Sequence, residues 1–271
     1  MAYNEIKDYW KDKEARAQKA QRHTESMKKY FSKYIQESID NTIYYFPNFE
    51  CKKNLPEVNT EIILDDIDTV SAIFKYDTKD QKAAVLNFAS YKNPGGQFIN
   101  GSKAQEECLC HESFLYNVLS ECKDYYEWNN QHKNKALYLN RALYTPKIFF
   151  VKREDVFDLE KEAFKWCNVI NCACPNKSAA KKYMYVSDKE NTEALRSRIK
   201  FVLDIAKCEE VDTLILGAYG CGVFGQDPME VASIFKEYLD TTHKCFKRVI
   251  FAIPRGKNGN YEAFIKTFEG K

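Results

Sequence analysis

The sequence lacks the features that mark membrane-spanning or exported chains. No apolar run approaches the ~20 residues that a helix needs to cross a bilayer. Residues 1–5 do not supply the basic segment that precedes the apolar core of a secretory signal. Because 41 basic residues face 39 acidic ones, the net charge is only +2, too weak a field to favour duplex nucleic acid. We expect a soluble, monomeric protein of the cytoplasm, or alternatively the nucleus, with neither membranes nor duplex nucleic acid as partners.

Ten cysteines are present, but nothing indicates that they form disulfides. A disulfide framework is typical of short exported chains, and a chain of 271 residues without an export signal favours a reducing compartment. Two C-x-C pairs, Cys108–Cys110 and Cys172–Cys174, could bind a metal or act in redox chemistry, although structural zinc prefers a C-x₂-C knuckle. Buried free thiols are the simpler interpretation. The sequence thus predicts no bound metal and no cofactor, with a thiol-rich metal or redox protein as an open alternative.

The first forty residues differ from the rest of the chain. They are rich in charge and contain no glycine or proline, and their apolar residues repeat at helical spacing. The apolar face consists of Met27, Tyr30, Phe31, Tyr34, Ile35 and Ile39. We predict a helix that packs on the domain and leaves its charged face in solvent. Residues 1–50 are accordingly assigned to an N-terminal helical extension and residues 51–271 to one α/β domain.

The remainder of the chain alternates short β-rich runs with helical stretches. The candidate strands are Glu61–Leu64, Ala84–Phe88, Val169–Asn171, Thr213–Ala218 and Val249–Ile253. The candidate helices are Ala104–Cys122, Glu190–Lys207 and Met229–Thr242. Continuous apolar strands are typical of a sheet covered on both faces, so this alternation favours a three-layer α/β/α domain. The polar run Glu127–Lys135 is predicted to be an exposed loop.

A glycine-containing turn follows the candidate strand that ends at Phe88. Its centre is Asn93-Pro94-Gly95-Gly96-Gln97, where the proline fixes one dihedral angle and the two glycines permit positive φ. Backbone without Cβ atoms lets a ribose or a polyanion approach closely. An ordinary strand-to-helix turn explains the same residues, so this segment alone leaves both interpretations open.

A second glycine-rich stretch, Gly217–Gly225, follows another buried strand. It precedes a helix that is predicted to begin near Pro228, with Asp227 as its cap. Four glycines within nine residues expose consecutive N–H groups close to a helix N-terminus. That arrangement favours a phosphate-binding site over an ordinary connection.

This second stretch also matches the dinucleotide fingerprint G-x-G-x-x-G, over Gly220–Gly225. The dinucleotide fold requires an acidic residue after the next strand. Here the next candidate strand, Val249–Ile253, is followed by Pro254-Arg255-Gly256. The context therefore excludes a dinucleotide-binding fold, and a phosphate loop of the Walker type is excluded because no Gly-Lys-Ser/Thr closes either glycine stretch.

Two adjacent acids, Glu106 and Glu107, lie between the two glycine stretches. Acids in the first turn of a helix are favoured by its dipole, so a purely structural pair is one interpretation. The other interpretation rests on position, because Glu106 follows Gly96 by only ten residues and is expected beside the same site. A carboxyl group there could protonate a leaving ribose hydroxyl and then activate water against an oxocarbenium-like centre.

The order and spacing of these segments resemble a known family. Asn93–Gln97, followed after seven residues by Gln105-Glu106-Glu107, resembles the signature of poly(ADP-ribose) glycohydrolases, a triple glycine and then Gln-Glu-Glu. The lead-in Asn87–Ser90 and the stretch Gly217–Gly225 are similar to the microbial-type branch, as is the helical segment Arg22–Ile39. The resemblance implies a macrodomain, a mixed sheet between helices, with ADP-ribose, poly(ADP-ribose) or ADP-ribosylated protein as its partner.

The resemblance also implies roles for individual residues. Glu107 would be the catalytic acid/base, and Glu106 would hold the ribose hydroxyls beside the scissile bond. The residues implied around that ribose are Asn93, Gly95, Gly96, Gln97, Phe98 and Gln105. The residues implied around the diphosphate are Gly220, Cys221, Gly222, Val223, Phe224 and Gly225. Phe224 would also pack against the ribose or the adenine.

One position departs from the family signature. Gln97 stands where the third glycine is expected, and a side chain there could crowd the distal ribose or force a different turn if positive φ is required. The leading hypothesis is therefore a glycohydrolase of poly(ADP-ribose) or protein-linked ADP-ribose that uses Glu107. The alternative is a non-hydrolytic macrodomain that reads or sequesters ADP-ribose.

Overall fold

A computed structural model describes residues 11–76, 82–151 and 164–270 of the chain. The strands are β1 (Ile43–Tyr45), β2 (Glu61–Asp65), β3 (Ala83–Phe88), β4 (Ala142–Val151), β5 (Phe164–Cys172), β6 (Thr213–Leu216) and β7 (Arg248–Ala252). They form one sheet in the order β1-β4-β5-β3-β6-β7-β2. Strands β5, β3, β6, β7 and β2 pair in parallel, whereas β4 is antiparallel to β5 and β1 is antiparallel to β4. The mixed sheet is confirmed.

The helices cover both faces of this sheet. They are α1 (Lys13–Asp40), α2 (Thr69–Lys75), α3 (Gln105–His111), α4 (Leu115–Leu119), α5 (Lys123–Gln131), α6 (Lys177–Met184), α7 (Asp188–Cys208), α8 (Pro228–Thr241) and α9 (Asn260–Glu269). Within the described ranges, none of them is long and apolar enough to cross a membrane.

Alternate side chains of each strand enter two different hydrophobic cores, because successive residues of a strand point to opposite faces. In β6, Leu214 and Leu216 pack with α7, α8 and α9, whereas Ile215 between them packs with α1 to α5. Both faces of the central strands are therefore buried, as their continuous apolar sequences indicate. The three-layer α/β/α architecture is confirmed.

Helix α1 is docked on the domain, as its apolar periodicity predicts. The buried Arg16 donates from Nε to the carbonyl oxygen of Gly101 at 2.7 Å, and Ser38 donates from Oγ to Pro146 O at 2.8 Å. Asn117 of α4 donates from Nδ2 to Thr24 O at 3.0 Å. Residues 1–10 of the predicted extension lie outside the described residues, and its boundary at residue 50 stays a prediction.

The loop prediction for Glu127–Lys135 is wrong. Most of that run belongs to α5, whose buried residues Tyr125, Tyr126 and Asn129 form one helical face. The polar, turn-forming composition concealed this face, because only three of the nine residues are buried. Tertiary packing therefore overrides the local preference here.

Other boundaries also differ from the sequence prediction. The single helix predicted over Ala104–Cys122 is two helices, α3 and α4, separated around Ser113. The hydroxyl of Ser113 donates to Leu109 O at 2.7 Å and accepts the N–H of Leu115 at 3.0 Å, so it ends one helix and begins the next. The strand predicted to end at Ala218 ends at Leu216. Strands β1 and β4 were not predicted, and β4 contains an irregularity between Thr145 and Ile148.

Candidate active site

The candidate site lies at the carboxyl edge of the parallel strands. β3 ends at Phe88, and the chain then forms a series of turns before α3 begins at Gln105. Gln105 fixes the start of that helix against the strand, because its Oε1 accepts the N–H of Phe88 at 2.8 Å and its Nε2 donates to Leu86 O at 2.9 Å. This clamp places Glu106 and Glu107 beside the turn that follows β3.

Glu106 is buried and held by two donors. Its Oε2 accepts the backbone N–H of Ser90 at 2.7 Å, and its Oε1 accepts Nδ2 of Asn87 at 3.3 Å. Burial raises the pKa of Glu106 to about 8, and the nearby carboxylate of Glu107 adds to the rise, while the bonds from Ser90 and Asn87 oppose it. Glu106 is therefore largely protonated at neutral pH.

Glu107 is buried too, but only one of its carboxyl oxygens is engaged. Oε1 accepts the backbone N–H of Gln97 at 2.9 Å. Oε2 is buried and has no hydrogen-bond partner among the described residues. An oxygen fixed in position but free of a partner is suited to proton exchange with a reacting group.

Both carboxylates converge on the backbone of Gly96. This residue has a φ of +62°, and a Cβ atom there would lie 2.5 Å from Glu107 Oε1 and 2.9 Å from Glu106 Oε2. Gly95 has the same φ, and its missing Cβ leaves room for the ring of Tyr116. Only glycine satisfies both requirements at Gly96, namely the left-handed conformation and the close carboxylates.

Gln97 does not disturb this turn. Its φ is not positive, so a side chain is accommodated without backbone strain. Its side-chain Oε1 accepts Nδ2 of Asn100 at 2.8 Å, and its backbone N–H holds Glu107. The turn therefore does not need positive φ at this position, while the crowding of the distal ribose by the Gln97 side chain stays a prediction.

Two other residues predicted at the ribose take different places. Phe98 is 1 % exposed and packs edge-on against His111 at 4.6 Å between ring centroids, so it supports the turn from the core. Asn93 is exposed, and its carbonyl oxygen accepts the N–H of Gly96 at 3.1 Å. Of the two, only Asn93 faces solvent, and a contact of either residue with the ribose stays a prediction.

The second glycine stretch forms a turn after β6 at the same edge. Gly220 has a φ of +77° and Gly225 a φ of +70°; Cβ atoms there would collide with Cys174 and Ser178, respectively. Cys221 is 9 % exposed and packs in the core. At the tip, Gly222 has open space around it. The turn thus combines a rigid base with an accessible tip.

Helix α8 begins directly after this turn and is capped as predicted. Asp227 accepts the backbone N–H groups of Met229 at 2.8 Å and Glu230 at 3.0 Å. The buried Gln226 anchors the turn from behind, donating from Nε2 to Pro175 O at 2.8 Å. Asp227 therefore satisfies two of the N–H groups at the helix start.

A cleft of about 450 Å³ lies between the glycine turn and the start of α3. The cleft is lined by Phe88, Gln105, Cys108, Gly220, Gly222, Val223 and Phe224, and also by Asp68, Pro254 and Asn260. Phe224 is partly buried, whereas Val223 is 86 % exposed at the rim. This volume is in the range of small-molecule sites, and its length along the strand ends suits an extended ligand.

The two carboxylates lie beside this cleft rather than in its wall. Gln105 and Cys108, three residues apart on α3, share the helix face that borders the cleft. Glu106 and Glu107 occupy the other side of the first turn, towards Gly96. A ligand in the cleft would therefore reach the acids with the end that passes over Gly96.

The structure brings most of the predicted residues to one edge of the sheet. Sequence reasoning did not assign Asn87 and Ser90 to the site, although they hold Glu106. A polar asparagine within the otherwise apolar strand β3 is the signal that could have identified Asn87. Among the described residues, no group of three or more His, Cys, Asp or Glu side chains could hold a metal ion.

Comparison with known proteins gives consistent matches. A family model described as the microbial-type PARG catalytic domain matches residues 12–153, just over half of the chain. The chain is similar to the crystal structure of poly(ADP-ribose) glycohydrolase from Thermomonospora curvata, with a TM-score of 0.83 and 25% identity over 94% of this chain and 100% of that one. The same enzyme bound to the inhibitor ADP-HPD gives a TM-score of 0.81, again with 25% identity and the same shares covered.

A mutant of the poly(ADP-ribose) glycohydrolase from Deinococcus radiodurans, in complex with ADP-ribose, is also similar. It has a TM-score of 0.79 and 30% identity, covering 87% of this chain and 97% of that one. No curated protein matches the sequence. These matches to solved structures cover 87–94% of this chain and 97–100% of the other chains.

Proposed function

The chain belongs to the family of microbial-type poly(ADP-ribose) glycohydrolase catalytic domains, and we propose that it hydrolyses the ribose glycosidic bond of poly(ADP-ribose) with Glu107 as acid/base. The observation that carries this proposal is the position of Glu107. Its Oε1 is fixed by Gln97, while its Oε2 is buried without a partner. A binding site needs no such unpaired carboxyl oxygen, since an unsatisfied buried acceptor costs stability.

The cleft accounts for how ADP-ribose would be held. The adenosine end would lie towards Asp68, Pro254 and Asn260, and the diphosphate would lie at the tip of the turn from Gly220 to Gly225. The N–H groups of Cys221 and Gly225 already donate within that turn, to Ala218 O and Gly222 O. Phe224 lies at the wall, where it would pack against the adenosine ribose or the adenine. The distal ribose would then lie beside Gly96, where the absence of a Cβ lets both acids come close to the backbone of the turn.

Hydrolysis would use the proton that the carboxylate pair retains. Glu106, with a pKa of about 8, retains its proton near pH 7 and would supply it to Glu107. Glu107 passes a proton to the leaving ribose oxygen as its bond to the anomeric carbon breaks. The resulting carboxylate then removes a proton from the water that attacks the oxocarbenium-like carbon. Glu106 meanwhile holds the ribose hydroxyls.

The test is to incubate the purified chain with poly(ADP-ribose), mono-ADP-ribosylated protein and O-acetyl-ADP-ribose in parallel, and to measure released ADP-ribose. We expect release from the polymer to be the fastest. Release from none of the three, together with tight ADP-ribose binding in a calorimeter, would contradict hydrolysis and support the alternative of a non-hydrolytic reader. Faster release from the protein-linked substrate would reassign the substrate but keep the reaction.

A further inference from the structure

Arg141 is a buried cation that the proposed reaction does not use. It directly precedes β4 and is 4 % exposed. Its Nε and Nη1 atoms are buried, and no hydrogen-bond acceptor of the described residues lies within reach. A guanidinium that is largely desolvated and has free N–H groups binds an oxyanion strongly, because charge-assisted bonds are stronger away from water.

Aromatic rings surround this guanidinium. Its central carbon lies 4.1 Å from the ring centroid of Trp128, 4.9 Å from that of Tyr125 and 5.3 Å from that of Phe46. Aromatic faces stabilise the charge through their quadrupoles, while a stacked guanidinium keeps the N–H donors at its edge. Phe46 is 55 % exposed, so this ring forms the solvent side of the cluster. We call Arg141, Trp128, Tyr125 and Phe46 the arginine cluster.

The strand order places the arginine cluster on one side of the two carboxyl groups and the cleft on the other side. The cleft borders the ends of β6, β7 and β2, and the carboxylates adjoin the end of β3. Beyond β3 come β5 and then β4, where Ala142, next to Arg141, pairs with Cys172, and Cys172 pairs with Phe88. With about 4.8 Å between strands, Arg141 is about 10 Å from the end of β3. A substrate that extends past the scissile bond would continue towards it.

The arginine cluster is also connected to the catalytic turn. Helix α5, which carries Trp128 and Tyr125, donates from Asn129 Nδ2 to Tyr91 O at 2.9 Å and from Asn130 Nδ2 to Lys92 O at 3.0 Å. These carbonyl groups directly follow Ser90, whose N–H holds Glu106. The cluster and the acids are thus parts of one rigid edge.

We propose that Arg141 binds a phosphate of the leaving portion of the polymer, so that the arginine cluster forms a subsite for the ADP-ribose unit next to the scissile bond. This inference rests on the proposed function, because it assumes a substrate with a phosphate-bearing leaving group. In the leaving portion of the polymer, the scissile ribose oxygen and the nearest phosphate belong to one nucleotide unit. The length of that unit spans the separation between β3 and β4. The subsite favours a polymer over a conjugate whose leaving group has no phosphate.

The test compares two substrates with the Arg141→Met variant, which keeps an apolar side chain among the rings and removes the charge. The ratio of kcat/KM for poly(ADP-ribose) to kcat/KM for an ADP-ribose conjugate with an uncharged leaving group should fall about tenfold, the effect of losing one charge-assisted bond. The dependence of log kcat/KM for the polymer on log salt should become shallower by about 0.7, the value for one phosphate on a single strand.

Arg196→Met is the matched control, because it removes the same charge from α7, where Arg196 pairs with Glu237 at the surface. It should leave the substrate ratio unchanged. An unchanged ratio in Arg141→Met, or an equal loss on both substrates, would overturn the subsite, since equal loss indicates only that Arg141 supports α5.

A binding measurement separates this inference from the proposed function. In the Glu107→Gln background, affinity for an ADP-ribose oligomer should fall about tenfold on adding Arg141→Met. If the wild-type chain releases no ADP-ribose from any substrate, the proposed function fails, whereas the oligomer affinities still test the subsite. If the wild type is active but the oligomer affinities are equal, only the subsite fails.

Discussion

The protonation of Glu106 follows from burial beside another carboxyl group, and it gives the reaction a pH limit. Its pKa of about 8 means that the pair loses its proton as the pH rises through that value. Since protonation of the leaving group requires this proton, we predict that kcat/KM falls about tenfold per pH unit above about pH 8. The profile of kcat/KM for poly(ADP-ribose) between pH 5 and 10 measures it. Activity that stays constant up to pH 10 would contradict the assignment.

The same buried acid affects stability with a definite sign. The pKa of Glu106 is higher in the folded chain than in the unfolded one, so its protonation favours folding, and this contribution is lost as the pH rises from about 4.5 to about 8. Glu106→Gln is uncharged at every pH. We therefore predict that the difference in Tm, variant minus wild type, increases as the pH rises from 5 to 9. Thermal unfolding measures this difference. A constant difference in Tm would contradict the raised pKa.

Gly96 is the backbone position on which both acids depend. A Cβ atom would lie 2.5 Å from Glu107 Oε1 on a residue with a φ of +62°, so Gly96→Ala must displace the carboxylates or the turn. We predict a loss of at least about 10²-fold in kcat, because small displacements of catalytic groups have large effects. Gly256→Ala, where no atom lies within 4 Å and φ is not positive, is the control and should retain its activity. Wild-type turnover by Gly96→Ala would refute the requirement.

At the residue scale, the sequence predicted the two acids but not the residues that donate hydrogen bonds to them. Glu106 and Glu107 follow from a motif with fixed spacing, whereas the donors that hold Glu106 come from Asn87 and Ser90, in a strand and a turn that only folding brings near. Phe98 shows the opposite failure, since an aromatic residue beside a binding turn can equally enter the core. The role of Gln97 depends on its φ, which no sequence pattern reveals.

At the scale of elements, α1 supports the catalytic turn from outside. Arg16 donates to Gly101 O at 2.7 Å, and Gly101 has no room for a Cβ against the backbone of α1. We predict that Arg16→Met lowers the free energy of unfolding by about 1–3 kcal/mol, because it leaves a buried carbonyl group without its donor. Denaturant unfolding measures this change. Arg22→Met, on the exposed side of the same helix, should have little effect, and an equal effect of both would contradict the account.

Helix periodicity was predictable where one face is strongly apolar, as in α1 and α7. It failed for α5, where Trp128, Asn129 and Asn130 indicate a turn by composition but act through contacts with residues distant in sequence. The division into α3 and α4 depends on the hydroxyl of Ser113, which can bond within a helix or end one. Tertiary packing decides between these alternatives, and the local sequence does not contain the information about that packing.

At the scale of the whole molecule, the buried carboxyl group of Asp204 connects α7 to the segment before β7. Asp204 accepts from His243 at 3.1 Å and from Lys200 at 2.7 Å, and these partners lower its pKa although burial opposes them. A lowered native pKa stabilises the fold above the ordinary pKa of aspartate, ~3.9, and this contribution is lost as the pH falls through the native value.

We therefore predict that Asp204→Asn lowers the free energy of unfolding by about 2–3 kcal/mol at pH 7, and by less below about pH 4. Denaturant unfolding at several pH values measures both. Asp240→Asn, which removes an exposed pair with Lys236, is the control and should change it by less than about 1 kcal/mol. An effect of Asp204→Asn that is independent of pH would contradict the ion pair.

The proposed hydrolysis depends most on Glu107, and one comparison of a variant with the wild type tests the role of this residue directly. Glu107→Gln keeps the shape of the side chain and the acceptor for Gln97 N–H, but it removes the transferable proton. We predict that ADP-ribose release from poly(ADP-ribose) falls about 10²–10⁴-fold, while the Kd for ADP-ribose measured by calorimetry stays close to that of the wild type. A variant that keeps full turnover, or that loses binding together with turnover, would contradict the role of Glu107 as acid/base.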